Sequence, residues 1–247
     1  MTSKLDLLIV DIDNTFIYHR TVAAANRLFL KFLLNKRLED RLYTTGRTIL
    51  VMLMNLHRLR PNRKVLKLMW TGTKLYFVDA FRRLNNRFFK KLVSCERMIR
   101  IWAEAVVSMK IKADDYRFSE KVIKENLNQK VMDIYSSVRQ PDTKVVAITE
   151  HFATGEDPIK KVLGIDVLES NKFIIKNGTI SGYVLNIKNK KDKKRFAEQY
   201  KGKNIGIIIE DYDEKSLLKL KNLKFIAYTK KLKRFIDKKK NIRLIEF

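Results

Sequence analysis

Three short, almost wholly apolar runs constrain this chain most: residues 5–10 (LDLLIV), 144–148 (KVVAI) and 205–209 (IGIII). Runs of this length are short for a helix. They also lack the polar–apolar alternation of a half-exposed strand, so each is expected to be a strand buried on both faces. Residues 223–228 (LKFIAY) are a weaker copy. Helical patterns separate them, at 158–163, 192–200 and 214–220. Strands alternating with helices build a parallel α/β sheet. Asn177-Gly178, between Phe173-Ile174-Ile175 and Ile180, adds a hairpin turn and hence a small antiparallel pair.

Residues 18–139 interrupt this alternation and hold no strand-like run. Apolar residues recur there at helical spacing, as at Leu30, Leu33, Leu34 and Leu38, or at Phe77, Phe81, Leu84, Phe88 and Phe89. Gly46, Pro61 and Gly72 are the expected breaks. The expectation is a Rossmann-like parallel sheet core made of 1–17 and 140–247, with an all-α cap domain inserted at 18–139.

Composition narrows the function classes. Glycine (8) and proline (3) are too scarce for a collagen-like or linker-rich chain. The one cysteine, Cys95, cannot form an internal disulfide, which suits a reducing compartment and a structural role for the thiol. No apolar run reaches the 18 or so residues that span a bilayer. The first apolar run ends in acids, so no signal peptide is expected and a cytoplasmic setting is. The formal charge of +26 is the outlier, and it draws anions: phosphate compounds, nucleic acid or anionic headgroups. Residues 18–139 carry 27 of the 53 basic residues against 10 acids.

Chemistry gathers where the apolar runs end. Asp11-Ile12-Asp13-Asn14-Thr15 follows the first run directly. Ligands of open α/β sheets bind at the carboxyl ends of strands. Two carboxylates two residues apart at such an end can hold a divalent cation, or one can attack phosphorus, or the pair can simply cap the strand. The second run ends in Ile148-Thr149-Glu150-His151, whose hydroxyl and backbone N–H groups suit phosphate oxygens. Residues 188–194 (KNKKDKK) offer ammonium groups before a helix. The third run ends in Glu210-Asp211-Tyr212-Asp213-Glu214. Acid pair, hydroxyl, lysine and acid cluster, in that order, are specific as a set.

The set resembles the haloacid dehalogenase (HAD) superfamily in its phosphoserine phosphatase-like branch. Asp11, Asp13 and Thr15 match its D-x-D-x-T motif after a strand, Thr149 the Thr or Ser ending a strand, Lys191 or Lys193 its lysine, and Asp211 its acidic strand end. Residues 158–166 and 177–182 are similar to the segments that come after the second motif in this branch. The insertion occupies the place of the family's helical cap, at a larger size. The sequence departs from the pattern at Glu210, where glycine is usual, and at Lys215, where a second acid is usual. Glu210, Asp213 and Glu214 are the acids left for that second place.

The resemblance implies a Mg2+-dependent phosphomonoester hydrolase. Asp11 would be the nucleophile and Asp13 the general acid and base. Thr149 with Lys191 or Lys193 would hold phosphate oxygens, and Asp11, the Asp13 carbonyl and Asp211 would hold the cation. A carboxylate approaching a phosphate 4 Å away meets about 4 kcal/mol of repulsion per charge pair at an effective dielectric of 20, which the cations reverse. The implied substrate is a small phosphorylated anionic metabolite. Two other readings are a peripheral phosphatase on a lipid phosphate headgroup and a basic nucleic-acid-binding protein without turnover, the latter unsupported by any nucleic-acid motif. Residues 27–41 and 47–60 mix large apolar residues with Arg and Lys, a pattern shared by interfacial membrane helices and ordinary bundle helices. His19, His57 and His151 match no zinc spacing, and His151 alone falls near the expected pocket. Trp70 and Trp102 are expected in the cap core.

Overall fold

The computed structural model describes residues 4–13, 15–17, 20–35, 38, 41, 43, 45–60, 62–83, 94–154, 157–210, 212–236 and 242–247. A seven-stranded sheet runs in the order β4-β3-β2-β1-β5-β6-β7. Its strands are β1 (Leu7–Val10), β2 (Lys144–Ala153), β3 (Val167–Lys176), β4 (Thr179–Val184), β5 (Ile205–Ile209), β6 (Leu223–Tyr228) and β7 (Arg243–Glu246). Every neighbouring pair is parallel except the β3–β4 hairpin. The sheet and its Asn177-Gly178 turn are as expected; Asn177 and Gly178 both take positive φ.

All four residues of β1 are buried, because alternate side chains feed two different cores. Leu8 and Val10 join Val145, Ala147 and Ile208 on one face. Leu7 and Ile9 join Val146, Ile148 and Ile207 on the other. Each such aliphatic side chain stabilises the fold by roughly 1.5–3 kcal/mol. A charge at Ile9 would therefore break the sheet from its centre.

Helices cover both faces. Among the described residues they are, in chain order, α1 (Arg20–Leu34), α2 (Thr45–Met54), α3 (Arg63–Arg83), α4 (Cys95–Ser108), α5 (Ala113–Tyr116), α6 (Glu120–Glu125), α7 (Gln129–Val138), α8 (Pro158–Leu163), α9 (Lys190–Gln199) and α10 (Lys233–Ile236). Ala103, Val106, Val131 and Tyr135, from α4 and α7, pack on the first face with Ile159 and Leu163 of α8. Ala197 of α9, with Leu217 and Leu218, packs on the second. Among the described residues, backbone bonds tie the 18–139 segment to the turn after β1 and to the β3–β4 hairpin. Asn128 N–H donates to the Phe16 carbonyl (2.8 Å), Ala113 N–H to the Gly178 carbonyl (2.9 Å) and Ile180 N–H to the Ile111 carbonyl (2.8 Å).

Several local expectations are corrected. β2 does not stop at Ile148 but continues to Ala153, past a register shift against β3 between Ile148 and Phe152. Residues 212–219 form a 3-10 helix rather than an α-helix. β7 was not expected, since three of its four residues are exposed at a sheet edge and its apolar signal is weak. Gly46 and Gly72 do not break helices: they lie inside α2 and α3. The packing of a helix outweighs the ~1 kcal/mol a mid-helix glycine costs. Pro61 lies outside the described residues, as do Leu84, Phe88 and Phe89.

Candidate active site

The chain reverses direction across the sheet at β1. It leaves β1 for β2 on one side and reaches β5 on the other. Such a switch point opens a crevice at the carboxyl ends of the strands. Asp11 stands there, 5% exposed, its N–H donating to the Ile208 carbonyl (3.2 Å) so that the β1–β5 ladder runs one residue further.

Two groups converge on the Asp11 carboxylate. Lys193 Nζ lies 3.2 Å from Oδ1, and the lysine is itself 4% exposed. Thr15 Oγ1 donates to Oδ2 across 3.5 Å, a long contact within the turn. That turn is closed by Phe16 N–H on the Ile12 carbonyl (3.0 Å) and held from the insertion by Asn128, whose amide donates to the Thr15 carbonyl (3.3 Å). Lys193 reaches the strand end because α9 starts on an Asn189 N-cap, whose Oδ1 accepts from the N–H groups of Lys191 and Asp192. Lys193 then falls one turn before buried Ala197, whereas Lys191 faces solvent. Of the two candidate lysines, the structure brings only Lys193 to Asp11.

Asp13 forms an isolated parallel bridge with Ile17 and is partly exposed. His151 lies beside it with Nδ1 3.9 Å from Asp13 Oδ2. The other ring nitrogen is 3.9 Å from Asp157 Oδ2, and the Tyr116 ring stacks on the imidazole at 6.0 Å. Asp157 also caps α8, its Oδ1 accepting from Ile159 N–H (3.1 Å). Sequence reasoning missed Asp157 and Tyr116. Asp157 carried a signal, as an N-cap residue before proline at the first helical position, whereas Tyr116 comes from the insertion and carried none.

Thr149 lies in β2 two residues after Ala147, the partner of Val10, and is 1% exposed. Its Oγ1 accepts from the His151 N–H (3.3 Å). Asp211 and His19 lie outside the described residues, as do the side chains of Asp213, Glu214 and Cys95. Glu210 follows β5 directly, its carbonyl accepting from the Thr229 hydroxyl. His57 is exposed beside Arg58. Among the described residues no three His, Cys, Asp or Glu side chains form a metal-binding group, and no helix is long and apolar enough to cross a membrane.

No family model matches the sequence, and no curated protein is similar to it. The likeness lies in solved structures. The chain matches a substrate-bound phosphoserine phosphatase with a TM-score of 0.53 at 12% identity, over 98% of this chain and 93% of that one. It matches a Bordetella pertussis protein of unknown function with a TM-score of 0.58 at 12% identity, over 98% and 99%. A phosphoserine phosphohydrolase-like protein from Francisella tularensis gives 0.52 at 12% identity, over 97% and 94%. The chain thus has the α/β fold of the phosphoserine phosphatase and phosphoserine phosphohydrolase-like structures that it matches.

Proposed function

We propose that this chain is a phosphoric monoester hydrolase working through an aspartyl-phosphate on Asp11. The observation that carries the reading is the buried Asp11–Lys193 pair at the switch point of the sheet. Removing a carboxylate and an ammonium from water is costly, and an inert basic protein has no use for such a pair at the mouth of a crevice.

In the proposed reaction an Asp11 carboxylate oxygen attacks phosphorus. The bond from phosphorus to the ester oxygen breaks, and Asp13 gives the departing oxygen its proton. Water then attacks the phosphorus of the acyl phosphate. Asp13 takes the water proton, phosphate leaves and the Asp11 carboxylate is restored. Lys193 and Thr149 hold phosphoryl oxygens, and Asn128 keeps the turn after β1 in register with the strand end. The donor set of Asp11 carboxylate and Asp13 carbonyl is hard oxygen, which suits Mg2+; Asp211 is the proposed third ligand. When bound, that ion neutralises charge on the phosphoryl group.

The proposed substrate is a small phosphorylated metabolite and the proposed setting the cytoplasm, with 1–17 and 140–247 as catalytic core and 18–139 as cap. The test is hydrolysis of a generic aryl phosphate with Mg2+. Wild type should turn over and stop on chelation of the metal. Asp11→Asn should lose at least about 1,000-fold in kcat, since no nucleophile remains. Full activity in that variant ends the proposal.

A further inference from the structure

The helical insertion exposes apolar side chains in one place. Eleven large hydrophobic residues stand out from the surface among the described residues, and eight of them lie between positions 49 and 70. Single exposed aliphatics are ordinary, but a concentration in 22 consecutive positions is not.

Both helices of this segment have two apolar sides. In α2, Thr48 is buried and Val51 and Met52 are partly covered, as is Asn55 just past its end, which defines the inner side. At 3.6 residues per turn Leu50 and Leu53 fall opposite, flanked by Ile49 and Met54, and these four are 53–71% exposed. In α3 the inner side is Val65, Leu68, Thr71 and Leu75. Leu66, Met69 and Trp70 fall opposite, 55–61% exposed. Lys67 and Lys74 lie beside that outer stripe, the Lys74 ammonium 5.2 Å from the Trp70 ring centroid. Leu56, in the turn between the helices, is 61% exposed as well. Residues 45–75 hold seven Arg and Lys and no Asp or Glu. Arg47, Arg58, Arg60, Arg63, Lys64, Lys67 and Lys74 are all exposed.

We infer that the outer faces of α2 and α3 dock on an anionic phospholipid surface. Aliphatic side chains and an interfacial tryptophan enter the acyl boundary, while Arg and Lys at the margins meet the headgroup phosphates. Charge complementarity selects this occupant. A second copy would bring seven like charges against seven. Nucleic acid would satisfy the cations but leave Leu50, Leu53 and Leu66 in water. None of these side chains is among those that meet Asp11 or Asp13, so the docking surface is argued independently of the proposed hydrolysis.

The test is co-sedimentation of the full chain with phosphatidylglycerol–phosphatidylcholine vesicles against pure phosphatidylcholine vesicles. Trp70 is the optical reporter, because Trp102 is already buried. Wild type should bind the anionic vesicles with a blue shift in emission, bind the neutral ones poorly, and release in high salt. Leu50→Ser with Leu53→Ser, and separately Lys67→Glu with Lys74→Glu, should each weaken binding about tenfold or more. These side chains are solvent-facing, so circular dichroism and aryl phosphate hydrolysis should stay unchanged. Asp11→Asn should bind vesicles like wild type, which separates a failure here from a failure of the enzymatic reading. The inference is overturned if wild type ignores anionic vesicles or if the paired variants bind as wild type does. A dimer that the serine pair dissociates, or RNA binding tighter than vesicle binding and lost with that pair, also overturns it.

Discussion

At the scale of single residues, the decisive contact joins positions 182 apart in sequence, Asp11 and Lys193. Replacing Lys193 by Met leaves the Asp11 carboxylate buried without this cation, at a cost of about 3–5 kcal/mol. Urea denaturation should report that loss, and aryl phosphate turnover should fall by about 100-fold or more as the phosphate loses an ammonium. Lys191→Ala should leave both quantities near wild type, because Lys191 faces solvent on the same helix. Equal losses from both changes would refute the assignment. Asp11 and Thr15 were legible because a strand end followed by D-x-D-x-T is a local pattern. Lys193 was half legible: Phe196, Ala197 and Tyr200 mark the inner side of α9, and position 193 continues that stripe by one turn. The Asp13–His151–Asp157 arrangement was not legible, since it joins three segments through side chains that share no periodicity.

Elements explain which parts of the fold the sequence announced. β1 and β5 sit inside the sheet with covers on both faces, so their residues are apolar throughout and stand out, and β6 follows them except at its exposed Lys224. The last turns of β2 carry Glu150 and His151 because the strand there borders the crevice, and polar residues hid the extension. Helices α2 and α3 misled in another way: Gly46 and Gly72 look like breaks but occupy solvent-facing positions where nothing approaches within 4 Å of an added Cβ. Gly72→Ala should therefore stabilise the chain by about 0.5–1 kcal/mol, since it removes backbone freedom from the unfolded state and adds a better helix former. Gly164→Ala should do the opposite. Gly164 ends α8 at φ 59, a left-handed conformation costing roughly 1–2 kcal/mol for an L-residue with a side chain. Its added Cβ would also come within 2.6 Å of the Arg139 guanidinium, which closes α8 by donating to the Leu163 and Gly164 carbonyls. Thermal unfolding of the two variants should shift in opposite directions; a shared sign would contradict this account of the two backbones.

For the whole molecule, what matters is how the helical segment is fastened to the sheet, and Tyr135 sits on that seam. From α7 it meets Phe16 edge-on at 5.4 Å, just after the Asp11 turn, and donates its hydroxyl to the Leu163 carbonyl (2.6 Å) at the end of α8. Burial is the main force on its ionisation, and it pushes the phenol from its ordinary 10 up to about 12, with the Arg139 cation pulling part of the way back. The folded chain thus holds this proton more tightly than the unfolded chain does. Its contribution to stability is whole below pH 10 and is lost as pH rises from 10 towards 12. Lysine deprotonation relieves the charge of +26 over the same range, but it does so alike in wild type and in Tyr135→Phe. The gap between the two proteins is therefore the quantity to follow. Wild type should lead by about 1 kcal/mol at neutral pH, the worth of one hydrogen bond. Urea titrations taken upward from pH 10 should show that lead shrinking and then reversing, because only wild type carries a phenol that ionises more readily once the chain unfolds. A lead that stays constant to pH 12 would mean that the junction between insertion and sheet admits water around Tyr135.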